Sequence, residues 1–410
     1  MTKRAKPKAE FGEIIPVTIE DMITEIESQS LAVPAVIKTI MPQVEALDPS
    51  VFTEAEHIYI TGCGDSYYAG LAARYAFERF TRLPTQPHPA LELGRYIAEF
   101  LPPKSLLFSI SNSGKATRTV EAVINARTSG AVTVAITGNV ESGLAQEAEL
   151  VLDQSYRIDG QLMSMPTNMM PDAPEEGSRR GSFGLANYLA SLTTLYCIGL
   201  HAGRVRGSLS ASDIENHLQE LERMAEGIDE TVRLCSEPAQ AYAKEVSDRD
   251  VFVILGAGPS YATSLFYAAK TYELSRVTGV AQELEEWAHE QYFITKPGSQ
   301  VLFVAPPGRS TSRALELSHT AKLMGAMSVV ITDESVEGLD HSFTKRLPVA
   351  GNVPEIFSPL VYCVPGELFA TYLAKEKGLK AFEFDSRLQY ETNMRTIQES
   401  EFFEFTEYRE

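Results

Sequence analysis

Three short apolar runs, at residues 57–62, 105–111 and 131–137, are rich in β-branched and aromatic residues and show no alternation with polar ones. Continuous runs of this kind predict strands buried on both faces, the pattern of a parallel sheet. Residues 66–80, by contrast, have helical composition with Ala, Leu, Arg and Phe, and 115–128 is helix-like as well. Strand and helix in alternation predict an α/β fold, a parallel sheet covered by helices on both faces. Ligands of such sheets bind beyond the carboxyl ends of the strands.

The pattern then repeats. His57-Ile-Tyr-Ile-Thr-Gly-Cys-Gly-Asp-Ser66 resembles Val251-Phe-Val-Ile-Leu-Gly-Ala-Gly-Pro-Ser260, which sets Gly62 against Gly256 at an offset of 194. Leu106-Leu-Phe108 resembles Val301-Leu-Phe303, and Val134-Ala-Ile-Thr137 matches Val329-Val-Ile-Thr332, both at an offset of 195. Landmarks that recur at one offset identify a duplicated domain. The division this predicts is a tail and lead-in helix (1–49), a first copy (50–204), a charged helical linker (205–248), a second copy (249–378) and a C-terminal tail (379–410). Residues 159–181, with several Met and Pro and the adjacent Arg179 and Arg180, read as an insertion, either a lid or a solvated loop. The acidic, aromatic segment 391–410 reads as a closing tail or as disordered chain.

Length and composition narrow the function classes. A chain of 410 residues exceeds one ordinary core and suits two domains with connecting helices. Hydrophobic residues at 44% and charged ones at 22% describe a soluble globular protein. The formal charge of −19 argues against nucleic acid as a partner, since that requires a basic face. Cys63, Cys197, Cys235 and Cys363 are far apart and form no CxxC pair, so they read as buried small hydrophobes in a reducing, cytoplasmic compartment. With no uninterrupted apolar run of about 18 residues, no membrane span is expected. The basic start, Met1 to Lys8, has no apolar core behind it and reads as a flexible tail rather than a secretion signal.

Gly62-x-Gly64 after a strand suggests a dinucleotide loop, but Tyr67 and Tyr261 occupy the third glycine position, where a side chain obstructs a pyrophosphate. No GxxxxGK[ST] run is present. Ser111-Asn112-Ser113-Gly114 directly follows a strand and is expected to open a helix at Lys115, so its hydroxyls and N–H groups suit an anion. Ser66 would add a hydroxyl from the neighbouring loop. The alternative is that these serines only cap their helices. The second copy has Pro306-Pro307-Gly308-Arg309 at this place, and its prolines lack N–H donors, so its anion site is expected to be lost.

On these residues the chain resembles the sugar isomerase (SIS) family in a tandem arrangement. It is similar over nearly its whole length to the isomerase half of the glutamine:fructose-6-phosphate amidotransferases. Met22-Ile-Thr-Glu-Ile-Glu-Ser-Gln29 resembles that family's lead-in helix, and Gly62–Ser66 and Ser111–Gly114 resemble its sugar-phosphate loops. The resemblance implies two SIS domains, each a five-stranded parallel sheet flanked by helices (flavodoxin- or Rossmann-like, three layers). It further implies 6-phosphate contacts from Ser66, Ser111, Asn112 and Ser113. Lys270-x-x-Glu273 and His289 match the family's spacing. Carried over, Glu273 is the base moving a proton between C1 and C2, Lys270 orients it, and His289 assists ring opening from the other subunit of a homodimer. Read from the residues alone, Lys270 and Glu273 are equally an exposed i,i+3 ion pair and His289 a surface residue.

Some positions depart from the family. Lys115 and Ala116 stand where relatives carry Glu and Thr, so the phosphate hydroxyl falls one residue late, at Thr117. Arg395 matches best a lysine that forms a Schiff base in relatives, and a guanidinium cannot serve as that amine. A glutaminase segment is not seen either. The expected activity is therefore an isomerase-type reaction on a ketose or amino-sugar 6-phosphate with amine release, as in deglycases and deaminases. A plain aldose–ketose isomerase and a non-catalytic sugar-phosphate sensor are the alternatives. No cofactor and no metal are expected.

Overall fold

The structure, a computed structural model, describes residues 17–163, 183–336 and 343–403. The first sheet comprises β1 (His57–Gly62), β2 (Thr85–Pro89), β3 (Ser105–Ile110), β4 (Val132–Thr137) and β5 (Leu150–Asp153). A small antiparallel hairpin follows, β6 (Arg157–Ile158) with β7 (Gln161–Leu162). The second sheet comprises β8 (Val251–Gly256), β9 (Thr278–Glu283), β10 (Gln300–Val304), β11 (Met327–Thr332) and β12 (Lys345–Pro348). The strand orders are β2-β1-β3-β4-β5 and β9-β8-β10-β11-β12, and every neighbouring pair is parallel. The two orders are the same order, as the sequence repeat predicts. All six residues of β3 are buried, in keeping with its unbroken apolar run. Strand β2, Thr-Gln-Pro-His-Pro, lies at an edge, where Pro87 and Pro89 need give no ladder hydrogen bond.

Identical backbone turns enter the first helix of each copy. Gly64 has φ +55° and ψ −129°, and Gly258 has φ +58° and ψ −133°, a region open only to glycine. The helices that follow, Asp65–Thr81 and Pro259–Lys270, pack against one another. The second continues in a wider π-turn, Thr271–Ser275.

One continuous core joins both copies. It contains the inner faces of both sheets, the lead-in helices Ile19–Ser28 and Ala32–Glu45, the helix Leu185–Val205 and the long helix Ala211–Glu245. The long helix starts at a Ser210/Asp213 capping box and buries Ile214, Leu221, Met224, Ile228, Cys235, Ala239 and Tyr242 at helical spacing. Tyr242 stacks on Phe369 of the helix Val364–Glu376 at 4.9 Å between ring centroids. The segment Glu355–Glu376 is long and apolar enough to cross a membrane, but it is a core element here, with 94% of its apolar 18-residue window buried.

Three expectations change. Cys63 is exposed, not buried, because it stands in the turn between Gly62 and Gly64; the other three cysteines are buried. The helix after Gly114 starts at Thr117 instead of Lys115, since Gly114 (φ +63°) and the extended Ala116 delay it. The tail helix Arg387–Gln398 returns from the second copy to the first, with 399–403 docked there. Of the 159–181 insertion, residues 164–181 lie outside the described residues, as do 404–410 of the tail.

Candidate functional site

The candidate anion loop, Ser111–Gly114, is built on the carboxyl ends of β1, β3 and β4. Ser111 N–H donates to Ile136 O (3.1 Å), and Asn112 O accepts from Gly138 N–H (2.9 Å) and from Thr137 Oγ1 (3.2 Å). Gln154, wholly buried, donates to Asn112 Oδ1 (3.2 Å) and accepts from Ser191 (3.1 Å), so the Asn112 side chain is fixed from beneath. Gly114 has a positive φ and lies so close to Ser142 that no Cβ would fit. Gly62 is equally crowded: a Cβ there would meet Ser66 Cβ at 2.7 Å and Ile110 O at 3.1 Å. That approach brings Ser66 beside the strand end leading into Ser111.

The serines are not caps. Neither the helix at Asp65 nor the helix at Thr117 has a side-chain cap, and their N-cap residues are Gly64 and Ala116. Their first-turn N–H groups therefore have no side-chain acceptor, and the helix dipoles favour negative charge there. Ser113 Oγ accepts from Lys115 N–H (3.3 Å). Thr117 is buried at the first turn of its helix, with its hydroxyl unpartnered. In the second copy the matching loop is filled from within. Glu355 lies against Gly308 and accepts from Arg309 N–H (3.1 Å), while Thr311 Oγ1 accepts from Gly308 N–H (2.8 Å). The chain's own carboxylate thus occupies the place an anion would take.

Lys270 and Glu273 do meet, and their surroundings are not those of a surface pair. The Lys270 side chain is 1% exposed; its Nζ donates to Glu273 Oε2 (2.6 Å) and Asp65 Oδ2 (2.8 Å) and lies 4.8 Å from the Phe266 ring centroid. Asp65 precedes Ser66, so one ammonium ties the second copy's helix to the first copy's anion loop. Sequence reasoning missed Asp65; its signal was an acidic residue where the other copy has Pro259. Burial raises the proton affinity of Glu273, the Lys270 ammonium lowers it, the Asp65 charge raises it, and the net direction is up. The flanking carboxylates raise Lys270 strongly against the effect of burial, so it stays an ammonium.

His289 is not brought to Glu273 within the chain. It ends the helix Leu284–His289, is 67% exposed, and its Nε2 lies 3.5 Å from Glu285. Arg395 is likewise exposed, on the tail helix, 4.0 Å from Glu391. Beyond that helix the tail docks on the anion-loop helix. Buried Glu121 pairs with Arg95 (2.8 Å) and Arg118 (2.6 Å) and accepts from Phe403 N–H (2.7 Å), while Asn125 donates to Phe403 O (3.0 Å).

A duplicated parallel α/β unit with one open and one filled anion loop is the class this fold defines. Residues 51–170 match the family model described as SIS domain. It is similar to the glutamine–fructose-6-phosphate aminotransferase (isomerizing) of Corynebacterium glutamicum, 28% identical over 81% of this chain and 50% of that protein. The Mycobacterium tuberculosis counterpart is 26% identical over 87% of this chain and 55% of that protein. The chain thus spans about half the length of the curated relatives it matches. Among solved structures, the C-terminal domain of the glucosamine-fructose-6-phosphate aminotransferase of Francisella tularensis shares the fold (TM-score 0.75, 20% identity, 89% of this chain and 98% of that one). Glucosamine-6-phosphate deaminase of Thermotoga maritima shares it less closely (TM-score 0.55, 20% identity, 86% and 96%).

Proposed function

We propose that this chain is a phosphosugar isomerase-type enzyme that acts on a ketose or amino-sugar 6-phosphate, moving a proton between C1 and C2 and releasing an amine. The observation that carries this reading is the Lys270 ammonium, held between Asp65 beside the anion loop and Glu273 on the facing copy. A base and a phosphate cradle are thereby joined by one buried contact. Ser66, Ser111, Asn112, Ser113 and the free N–H groups of two helix starts hold the phosphate, with the buried Thr117 hydroxyl as a further ligand.

Take an open-chain 1-amino-1-deoxyketose 6-phosphate. The Glu273 carboxylate removes a proton from C1, the C2 carbonyl oxygen takes one from an acid, and a C1–C2 double bond forms. Glu273 returns its proton to C2, and the nitrogen lone pair closes a C1–N double bond. Water adds to C1, its protons pass to nitrogen and back to the acid, and the C1–N bond breaks. The products are an aldose 6-phosphate and an amine. One base whose proton affinity burial raises serves both transfers. The acid in this reading is His289 of the partner subunit, which makes the working unit a homodimer. Asp65 and Glu273 against one ammonium leave a net negative charge, which favours a cationic nitrogen in the site and so amine release over plain isomerisation.

The test is deuterium exchange followed by NMR in heavy water, with a panel of hexose, amino-hexose and fructosamine 6-phosphates. Deuterium entering C1 or C2 with the wild type but not with Glu273→Gln supports the reading. Release of free amine separates the deglycase or deaminase from the plain isomerase. Binding without exchange, abolished by Ser111→Ala, makes the protein a sensor and refutes the enzyme.

A further inference from the structure

The C-terminal tail reaches both parts of the proposed site. At its root, Phe382 N–H donates to the backbone O of Glu273 (3.0 Å), and Asp385 pairs with Arg276 (2.5 Å). The helix Arg387–Gln398 follows, with Tyr390 and Met394 buried. At the far end, residues 399–403 lie on the helix Thr117–Thr128, the one that opens after the candidate anion loop. There Glu121 accepts from Phe403 N–H (2.7 Å), Asn125 donates to Phe403 O (3.0 Å) and Arg118 donates to Glu401 O. The Arg95 guanidinium lies 5.4 Å from the Phe403 ring centroid.

These contacts fall on the frame of the anion loop. Phe402 packs on the cluster of Val120, Val123, Ala135 and Leu144. Leu144 N–H donates to Gly114 O (3.1 Å), and neighbouring Ser142 fills the space beside Gly114. Asn125 also donates to Gly94 O (2.9 Å), so the helix, the π-turn Leu93–Ile97 and the tail meet at one side chain. At the front of the same helix, Thr119 Oγ1 lies 3.8 Å from Cys63 Sγ, in the turn between Gly62 and Gly64. The helix starts without a side-chain cap, so lateral contacts set where its first-turn N–H groups stand. Glu121, buried between Arg95 and Arg118, loses one donor if the tail leaves.

We propose that the segment Glu399–Phe403 is a brace for the phosphate loops: docked on the helix Thr117–Thr128, it fixes that helix against both loops, so that an anion in the loops and the tail on the helix stabilise one another. This rests on the reading of Ser111–Gly114 as the phosphate site. Phe402, Phe403 and Glu121 are positioning residues in it, acting on the phosphate through the placement of the helix. The coupling is reciprocal: whatever factor the docked tail adds to anion affinity, the bound anion adds to tail docking.

The test measures both sides of that reciprocity. Calorimetry gives the affinity for fructose 6-phosphate, and for inorganic phosphate as a probe of the cradle alone, in the full chain and in a chain ended after Gln398. Hydrogen exchange of the peptide covering 399–403 is followed in the full chain with and without each probe. The shortened chain should bind about fivefold more weakly or worse, and saturating probe should slow exchange in the tail by a similar factor. Phe402→Ala should weaken both effects, and Phe402→Leu, which keeps an apolar side chain in the cluster, should restore them. A tail that merely adds stability would leave its exchange indifferent to the probe. Unchanged affinity in the shortened chain, or probe-independent exchange, overturns the proposal. Should the shortened chain not fold, Phe402→Ala decides by the same two readings. If the full chain binds neither probe, the phosphate reading fails and the brace falls with it; binding without coupling removes the brace alone.

Discussion

Glu367, on the helix Val364–Glu376, accepts from Gln29 Nε2 at 2.6 Å, and its burial has a consequence for stability that needs no substrate to observe. Its carboxyl is wholly buried and titrates at about 7 in the fold, against 4.5 in the unfolded chain. The folded state therefore binds more protons than the unfolded state between these values. Stability from the protonated form is fully present below about pH 4.5 and is lost as pH rises towards 7. The difference of roughly 2.5 units corresponds to about 3 kcal/mol, of which about 2 kcal/mol is lost by pH 6. Glu367→Gln keeps the volume and an oxygen for Gln29 while removing the titration. Urea unfolding at pH 4.5, 6, 7 and 8 should show the variant gaining on the wild type by about 3 kcal/mol over this range, with no further gain above pH 8. A constant difference at all four values would refute the reasoning. So would a gain that runs in the opposite direction.

Lys270→Met removes the group that lowers Glu273 and leaves burial and Asp65, which both raise it. Deuterium exchange at pH 7 should fall at least about tenfold and recover in part at higher pH; the partly exposed carboxylates limit the stability loss to about 1–2 kcal/mol, measured by urea unfolding. Gly62→Ala forces a methyl to within 2.7 Å of Ser66 Cβ, so it should cost about 1–3 kcal/mol in thermal unfolding and weaken sugar 6-phosphate binding in calorimetry. Glu121→Ala strips Arg95, Arg118 and the Phe403 amide of a buried partner. It should destabilise by about 2–3 kcal/mol and speed proteolytic cleavage of the tail beyond Gln398, with no change in either sinking the docking role.

The strands and the duplication were legible because both copies keep unbroken apolar runs at one offset, and a sheet buried on both faces demands such runs. Lys270 and Glu273 were legible through spacing on one helix. Asp65 was not, because an acidic residue in the first turn of a helix already has a local reason in the helix dipole. Its partner lies 205 residues away. Gln29 and Glu367 are 338 residues apart, yet each left a trace. Met22, Glu25, Ile26 and Gln29 form one buried stripe at helical spacing, so two polar residues stood on an apolar face. Glu367 is the lone charge between Phe357 and Ala374. Polar residues on a face that must be buried deserve a partner, and here each has one. His289 illustrates the opposite limit: spacing put it in register with relatives, but a single chain leaves it on the surface.

The divergence of the two copies explains why the site lies between them. At the repeat offset, Asp65 corresponds to Pro259, Ala76 to Lys270 and Arg79 to Glu273. Only the first copy has the acidic residue at its helix start, and only the second has the ammonium and the carboxylate at its helix end. The open anion loop, Ser111–Gly114, belongs to the first copy, while Glu355 fills the counterpart in the second. On the proposed reading, neither copy alone contains both the phosphate cradle and the base. Packing the two first helices together assembles both, and the Lys270 ammonium, desolvated in that contact, is stable only with carboxylates from each side. The contact that holds the halves together is thus the same contact that sets the charge of the proposed base, so substitutions at this interface should change stability and, on that reading, proton transfer together.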